Sequence, residues 1–186
     1  MRARLLALLL LIPAAAGAQE LADPFAGRLE PATAQAVRRV IDSASAAGLP
    51  SAPLVNKALE GASKHAAGER IVIAVRSLAT DLATSRRALG GSASEAELMA
   101  GVGALRAGAS PELLSRLKAA QGSESALVAL ATLADLVAQG LPVDRAAQRV
   151  LAAAERRADR SVQATPPPPR ANPASPPAKG RSNRRP

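Results

Sequence analysis

The 186-residue chain has no cysteine, one histidine, one aromatic residue and a formal net charge of +9 at neutral pH. Without cysteine, a disulfide bond, a cysteine-ligated metal and a lipid-modified cysteine are all excluded. One histidine leaves too few ligands for a histidine-based zinc site, and the sequence has no glycine-rich nucleotide-binding motif. We therefore predict no cofactor and no metal.

The first 18 residues have the three parts of a secretory signal peptide. Arg2 and Arg4 supply the positive start, residues 5–12 form an apolar core, and a small-x-small cleavage site ends at Ala18. This core is much shorter than the ~20 apolar residues that a membrane-spanning helix needs. We expect cleavage between Ala18 and Gln19, export to the periplasm or the medium, and no transmembrane helix in the mature protein.

Residues 19–30 predict a flexible lead-in, in which Phe25 is expected to dock as an apolar plug. Beyond it, apolar side chains recur with the 3.6-residue period of a helix, and no segment alternates with the period of a strand. The pattern predicts seven short helices, at approximately 31–47, 52–66, 69–89, 94–107, 111–120, 125–139 and 143–157. The expected fold is one all-α domain over residues 31–160.

Three of the turns between these helices share a pattern. Gly48, Gly108 and Gly140 are each followed, within three residues, by proline, serine or both. Glycine favours the left-handed conformation that ends a helix, and serine or proline suits the start of the next, with Ser51 and Ser110 as predicted N-caps. The glycine spacings are 60 and 32 residues, so we predict an irregular stack of helical hairpins rather than a regular repeat.

Three further glycines lie inside helical patterns, at Gly61, Gly101 and Gly103. Each costs ~1 kcal/mol relative to alanine in a helix interior. A close crossing of two helices is the expected reason, and Gly61 has the alternative of marking a helix end.

The hairpin of residues 125–157 is the predicted centre of the fold. Its first helix is apolar around most of its circumference, with a polar strip reduced to Thr132, Asp135 and Gln139. A helix with so little polar surface is expected to be packed on several sides. The second helix has one apolar stripe and an outer face with separate acidic and basic rows.

The last 26 residues differ abruptly in composition from the rest. They contain eight prolines and neither leucine nor isoleucine, so they cannot bury enough apolar surface to become ordered. We predict that residues 161–186 form a disordered tail with polyproline character.

The positive charge is unevenly distributed along the chain. Residues 19–160 carry 17 basic and 15 acidic side chains, whereas residues 161–186 carry five basic side chains and no acidic one. The basic row of the last helix continues into the tail, which predicts a tether to an anionic surface. Its residues are Arg145, Arg149, Arg156, Arg160, Arg170, Lys179, Arg181, Arg184 and Arg185. A solvated helix face followed by a solubilising tail accounts for the same pattern, and the sequence leaves both interpretations open.

The expected partner is an anionic component of the cell envelope, namely lipid, lipopolysaccharide or wall polymer, or else a protein. Nucleic acid is not expected, because the chain is predicted to be exported and the tail has no aromatic residue on which bases could stack.

His65 and a few carboxylates are the candidates for acid–base chemistry. No serine near a nucleophile-elbow glycine motif accompanies His65, so a Ser-His-Asp arrangement has little support. Asp135 is the candidate buried carboxylate, although a structural ion pair is the simpler interpretation. Lys57 and Glu60 predict a surface ion pair, since they are three residues apart on one helix.

The sequence thus favours a non-enzymatic binding or scaffold module of the cell envelope. The alternative is an envelope enzyme of the wall-polymer hydrolase type, with carboxylates in a groove between helices. A deep polar pocket lined by two or more carboxylates would favour the enzyme, and a shallow surface with an apolar patch would favour the binding module.

Overall fold

The computed structural model describes residues 23–163, which form seven α-helices and contain no β-strand. The helices are α1 (Pro31–Ala46), α2 (Ala52–Ser63), α3 (Gly68–Leu89), α4 (Glu95–Arg106), α5 (Pro111–Gln121), α6 (Leu127–Ala138) and α7 (Val143–Gln163). The all-α class and the seven-helix order predicted from the sequence are confirmed. The predicted signal peptide and residues 164–186 of the predicted tail lie outside the described residues.

The described residues divide into two compact units, residues 23–79 and residues 80–163, and the boundary falls within α3. In the first unit, α1 packs against α2. Phe25 is only 2% exposed, which confirms its role as an apolar plug, and the guanidinium carbon of Arg38 lies 5.9 Å from the centre of its ring. The segment before α1 forms hydrogen-bonded turns from Asp23 onward, within the stretch expected to be a flexible lead-in.

In the second unit, α6 packs most extensively against α4 and then against α7, while α5 lies against α4, α6 and α7. Leucines supply most of the large buried side chains, and those that are fully buried in this unit are Leu82, Leu98, Leu114, Leu117, Leu130 and Leu133. The last helix, α7, extends to Gln163, three residues beyond the expected end of the domain at Arg160.

α6 is packed against three helices, α4, α5 and α7, as expected, but these helices do not cover its whole circumference. Leu130 and Leu133 are fully buried, but Val128 is 64% exposed and Leu127 is 37% exposed. Asp135 is exposed as well. The three neighbouring helices leave Leu127 and Val128 exposed, because an apolar circumference favours burial but does not determine how many helices reach it.

The turn pattern is largely confirmed. Gly48, Gly108 and Gly140 have φ values of +73°, +97° and +93°, the left-handed conformation expected after a helix. Ser110 is an N-cap whose hydroxyl accepts from the Leu113 N–H at 3.2 Å. Ser51, in contrast, makes no side-chain capping bond. Its backbone is helical (φ −81°, ψ −31°), and a capping side chain needs the extended conformation that Ser110 adopts.

None of the helices in residues 23–163 combines the length and the apolar composition needed to cross a bilayer.

Candidate functional site

The outward side of α7 brings together the four predicted tether residues that lie within residues 23–163. Arg145, Arg149, Arg156 and Arg160 are all exposed. Their spacings of four, seven and four residues keep them on one side of a helix with 3.6 residues per turn. We call these four residues the arginine face. The other predicted tether residues, which lie outside the described part of the chain, are Arg170, Lys179, Arg181, Arg184 and Arg185.

The guanidinium groups of the arginine face have few partners. Those of Arg145, Arg149 and Arg156 form no ion pair and no hydrogen bond with any residue whose side chain the structure describes, a set that leaves out residues 158, 159 and 161–163. Arg160 donates from Nε to the Arg156 carbonyl at 3.1 Å, which is a bond along the helix and does not neutralise its charge. Like charges four residues apart weaken a helix by ~0.2–0.5 kcal/mol per pair, so an anion bound here would relieve a repulsion.

A cleft of about 120 Å³ lies between α6 and α7, and Gln121 at the end of α5 also lines it. We call it the α6–α7 cleft. Its walls are mainly apolar, with Val128 and Leu136 on α6 and Val150 on α7. Arg149 and Arg157, the charged residues among its lining, belong to α7. Arg157 donates from Nη1 to Gln121 Oε1 at 3.3 Å.

His65 lies in a different cleft, in the first unit, which Arg28 and Glu30 also line. The His65 side chain is exposed, and its φ is +53°. Helix termination explains this conformation, because the His65 N–H donates to the Ala62 carbonyl and the Ala66 N–H donates to the Gly61 carbonyl, both at 3.0 Å. These two bonds form a Schellman motif with His65 in the position that glycine usually occupies. The histidine therefore has a structural role as the residue that ends α2.

The candidate carboxylates do not converge on a common site. Asp135 is exposed and forms no ion pair with a described residue, so the hypothesis of a buried carboxylate at this position is wrong. The predicted pair of Lys57 and Glu60 is confirmed at 2.9 Å. Lys64 also binds Glu60, and the hydrogen bonds from Lys64 and then Lys57 lower the Glu60 pKa to about 2. Asp81 pairs with Arg106 at 2.9 Å.

Among the carboxylates whose burial the structure describes, Glu97 is the buried one, at 5% exposed. Its Oε2 accepts from the Ser94 N–H at 3.0 Å, and its Oε1 accepts from the Ala126 N–H at 2.8 Å and from Lys118 Nζ at 3.1 Å. The backbone hydrogen bond from Ser94 is the largest cause that lowers the Glu97 pKa to about 2, against the opposing effect of burial. A carboxylate this acidic stays ionised at neutral pH and cannot act as a general acid. Glu97 therefore joins the start of α4 to α5 and to the start of α6.

Part of the hydrogen bonding around Glu97 can be predicted from the sequence. Ser94 and Glu97 have the spacing of a capping box, and both of its reciprocal hydrogen bonds are present. The pattern gives no indication that Lys118 and Ala126, which are 21 and 29 residues further along the chain, complete the site.

No pair of carboxylates lines any of the three surface clefts described in this structure. The cleft beside His65 has Glu30 alone, and the shallow depression along the arginine face and the α6–α7 cleft have no carboxylate among their lining residues. Within residues 23–163 there is also no group of three histidine, aspartate or glutamate side chains that could hold a metal ion.

Comparisons with known proteins give no match to this chain, whether with protein-family models, with curated proteins or with solved structures.

Proposed function

We propose that this protein is an exported, non-enzymatic helical binding module of the cell envelope, held to an anionic surface by the arginine face and by the basic residues of the tail. The observation that carries the proposal is the arginine face itself. Four exposed arginines share one side of α7, and three of their guanidinium groups have no partner among the side chains that the structure describes.

The tail extends the same charge beyond α7. Residues 164–186 contain five basic side chains and no acidic one. Each lysine or arginine near an anionic surface contributes roughly 1 kcal/mol at low salt. Because this attraction is screened beyond ~8 Å at physiological ionic strength, we expect attachment to weaken as salt rises.

The clefts support a binding module rather than a hydrolase. Acid–base hydrolysis of wall polymers commonly needs two carboxylates in one groove, and none of the three clefts has such a pair. The most acidic buried group, Glu97, already accepts from two backbone N–H groups and an ammonium group, so its role is structural.

Co-sedimentation of the mature protein with envelope components tests the proposal. The components are vesicles of phosphatidylglycerol and phosphatidylcholine, lipopolysaccharide aggregates and purified wall fragments, each at low and high salt. The forms compared are the full chain, a truncation after Gln163, and the Arg145→Gln/Arg156→Gln double variant. Truncation at this point leaves every described helix intact.

The matched control is Arg39→Gln/Arg70→Gln, which removes the same charge from exposed positions on α1 and α3. We expect the truncation and the arginine-face variant to bind less than the control, with the difference shrinking at high salt. The component that sediments the protein identifies the surface. Equal sedimentation of all four forms with every component would show that neither the face nor the tail is a tether.

A further inference from the structure

The α6–α7 cleft has an exposed apolar side chain, Val128, on its α6 wall, whereas Val150 on the α7 wall is buried. Val128, Thr132 and Leu136 follow one another at intervals of four residues along α6, with Val128 64% exposed. Val150 and Ala153 of α7 line the cleft with them. Apolar surface left in water is unfavourable, so an apolar guest lying along this cleft gains free energy by covering it.

The charge of the cleft has one sign. Arg149 and Arg157 are eight residues apart on α7, which places them about 12 Å apart along the helix at 1.5 Å per residue. The other lining residues are uncharged, so no carboxylate competes for these guanidinium groups within the cleft. An apolar trough with two cationic groups beside it is complementary to a molecule that has an apolar chain and an anionic end.

Arg149 also connects this cleft to the arginine face. It lines the depression along the arginine face as well as the α6–α7 cleft. An anionic group bound to Arg149 therefore lies next to an apolar surface, whereas one bound to Arg145, which does not line the cleft, has no such neighbour.

We infer that the α6–α7 cleft receives one acyl chain of an anionic lipid, whose charged headgroup binds Arg149 or Arg157. This inference rests on the proposed attachment to an anionic surface and names lipid as its component. The cleft of about 120 Å³ has room for roughly four methylene groups, because each occupies nearly the ~30 Å³ share of a liquid water molecule. About four carbons of a chain would fill it, and the rest of a longer chain would extend into solvent or the bilayer.

The first test is calorimetric titration of the mature full-length protein with single-chain probes below their micelle concentrations. The probes are alkanoates from propanoate to dodecanoate, with dodecyl maltoside and inorganic phosphate for comparison. Burial of each methylene contributes up to ~0.8 kcal/mol, so affinity should rise about two- to fourfold per methylene and level off near five or six carbons, where the cleft is full. Dodecyl maltoside lacks the anionic group and inorganic phosphate lacks the apolar chain. We therefore expect each to bind about tenfold more weakly than dodecanoate or not at all.

Variants at exposed positions separate the cleft from the rest of the surface. Val128→Asp places a negative charge on the apolar wall, and Arg157→Gln removes a cation from the cleft while leaving the arginine face intact. We expect each to weaken dodecanoate binding about fivefold or more, whereas Arg145→Gln, the matched control outside the cleft, should bind as the wild type does. Circular dichroism melts of all three establish that they remain folded.

Affinity that does not depend on chain length, or equal dodecanoate binding by Val128→Asp and the wild type, would overturn the inference. Salt-dependent vesicle binding without any alkanoate binding would overturn it too, while leaving the surface attachment in place. A third outcome is that the protein binds alkanoates with the predicted dependence on chain length but binds none of the envelope components. This outcome would support the cleft as an amphiphile site and contradict the proposed attachment to an envelope surface.

Discussion

Glu97 and Glu60 have pKa values lowered to about 2 by different environments. Glu60 lies on the surface between Lys57 and Lys64, where water screens its interactions. Glu97 is buried and accepts two backbone N–H bonds as well as the bond from Lys118. A buried carboxylate satisfied in this way contributes to stability, because losing the charge would leave those donors without an ionised acceptor.

We expect the stability of the protein to fall in acid through Glu97. Its folded-state pKa of about 2 lies below its ordinary value of 4.5, so the folded state binds fewer protons than the unfolded state in this range. The stabilisation is therefore fully present above pH 4.5 and is lost as the pH falls through about 2, with a magnitude of roughly 3 kcal/mol. Urea unfolding at a series of pH values measures it.

Glu97→Gln should lower the free energy of unfolding at pH 7 by about 2 kcal/mol and flatten the pH dependence between 4.5 and 2. Glu60→Gln is the matched control, since its pKa is lowered to a similar value but its side chain is exposed, and we expect much less change. A loss for Glu60→Gln as large as that for Glu97→Gln would contradict the role given to burial.

At the scale of a single helix, α4 contains two glycines with opposite surroundings. A Cβ added at Gly101 would lie 2.1 Å from Ser85 Oγ, whereas one added at Gly103 would meet no atom within 4 Å. Ser85 is fully buried and donates to the Leu98 carbonyl at 3.0 Å, so it has little freedom to move aside. The close crossing predicted for helical glycines is confirmed at Gly101 and wrong at Gly103, because residues two apart on a helix point to nearly opposite sides.

The two alanine substitutions should therefore change stability in opposite directions. Gly101→Ala forces α4 away from Ser85 and should cost about 1–3 kcal/mol, as overpacking does in other cores. Gly103→Ala has open space and should stabilise the protein by about 0.5–1 kcal/mol through helix propensity. Thermal melts of both variants beside the wild type measure the difference, and two changes of the same sign would mean that the crossing of α3 and α4 is misplaced.

For the whole molecule, the distribution of charge and apolar residues divides the sequence into three parts. The apolar run of residues 5–12 predicts export, residues 19–160 are nearly balanced in charge, and residues 161–186 hold a separate excess of +5. A folded part with balanced charge followed by a basic segment is consistent with the proposed attachment to an anionic surface.

The expected signal peptide leads to a prediction about the N-terminus of the mature protein. Expression of the full chain with its natural N-terminus should yield an exported protein that begins at Gln19, which intact-mass spectrometry of the envelope fraction measures. The matched control starts with Met directly before Gln19 and should remain in the cytosol. Recovery of an exported chain that retains residues 1–18 would contradict cleavage at this site and favour an N-terminal anchor.

Several features follow from the sequence because they depend on residues close together along the chain. The seven helices, the left-handed turns at Gly48, Gly108 and Gly140, and the cap at Ser110 are set by apolar periodicity and by backbone preferences over four or five residues. The arginine face belongs with them, since a spacing of four, seven and four residues places side chains on one side of any helix. Charge and spacing alone therefore located the candidate tether on α7.

Other features were decided by the tertiary structure, because they join residues that are far apart in the chain. The apolar circumference of α6 extends from Leu133 to the flanking Val128, and only the placement of the neighbouring helices leaves Val128 exposed while Leu133 is buried. Glu97 takes its role from Lys118 and Ala126, 21 and 29 residues away. The α6–α7 cleft likewise exists only where two helices meet. Local patterns fix which side of a helix is apolar, but the free energy of packing depends on which neighbours reach that side, and no local pattern encodes their positions.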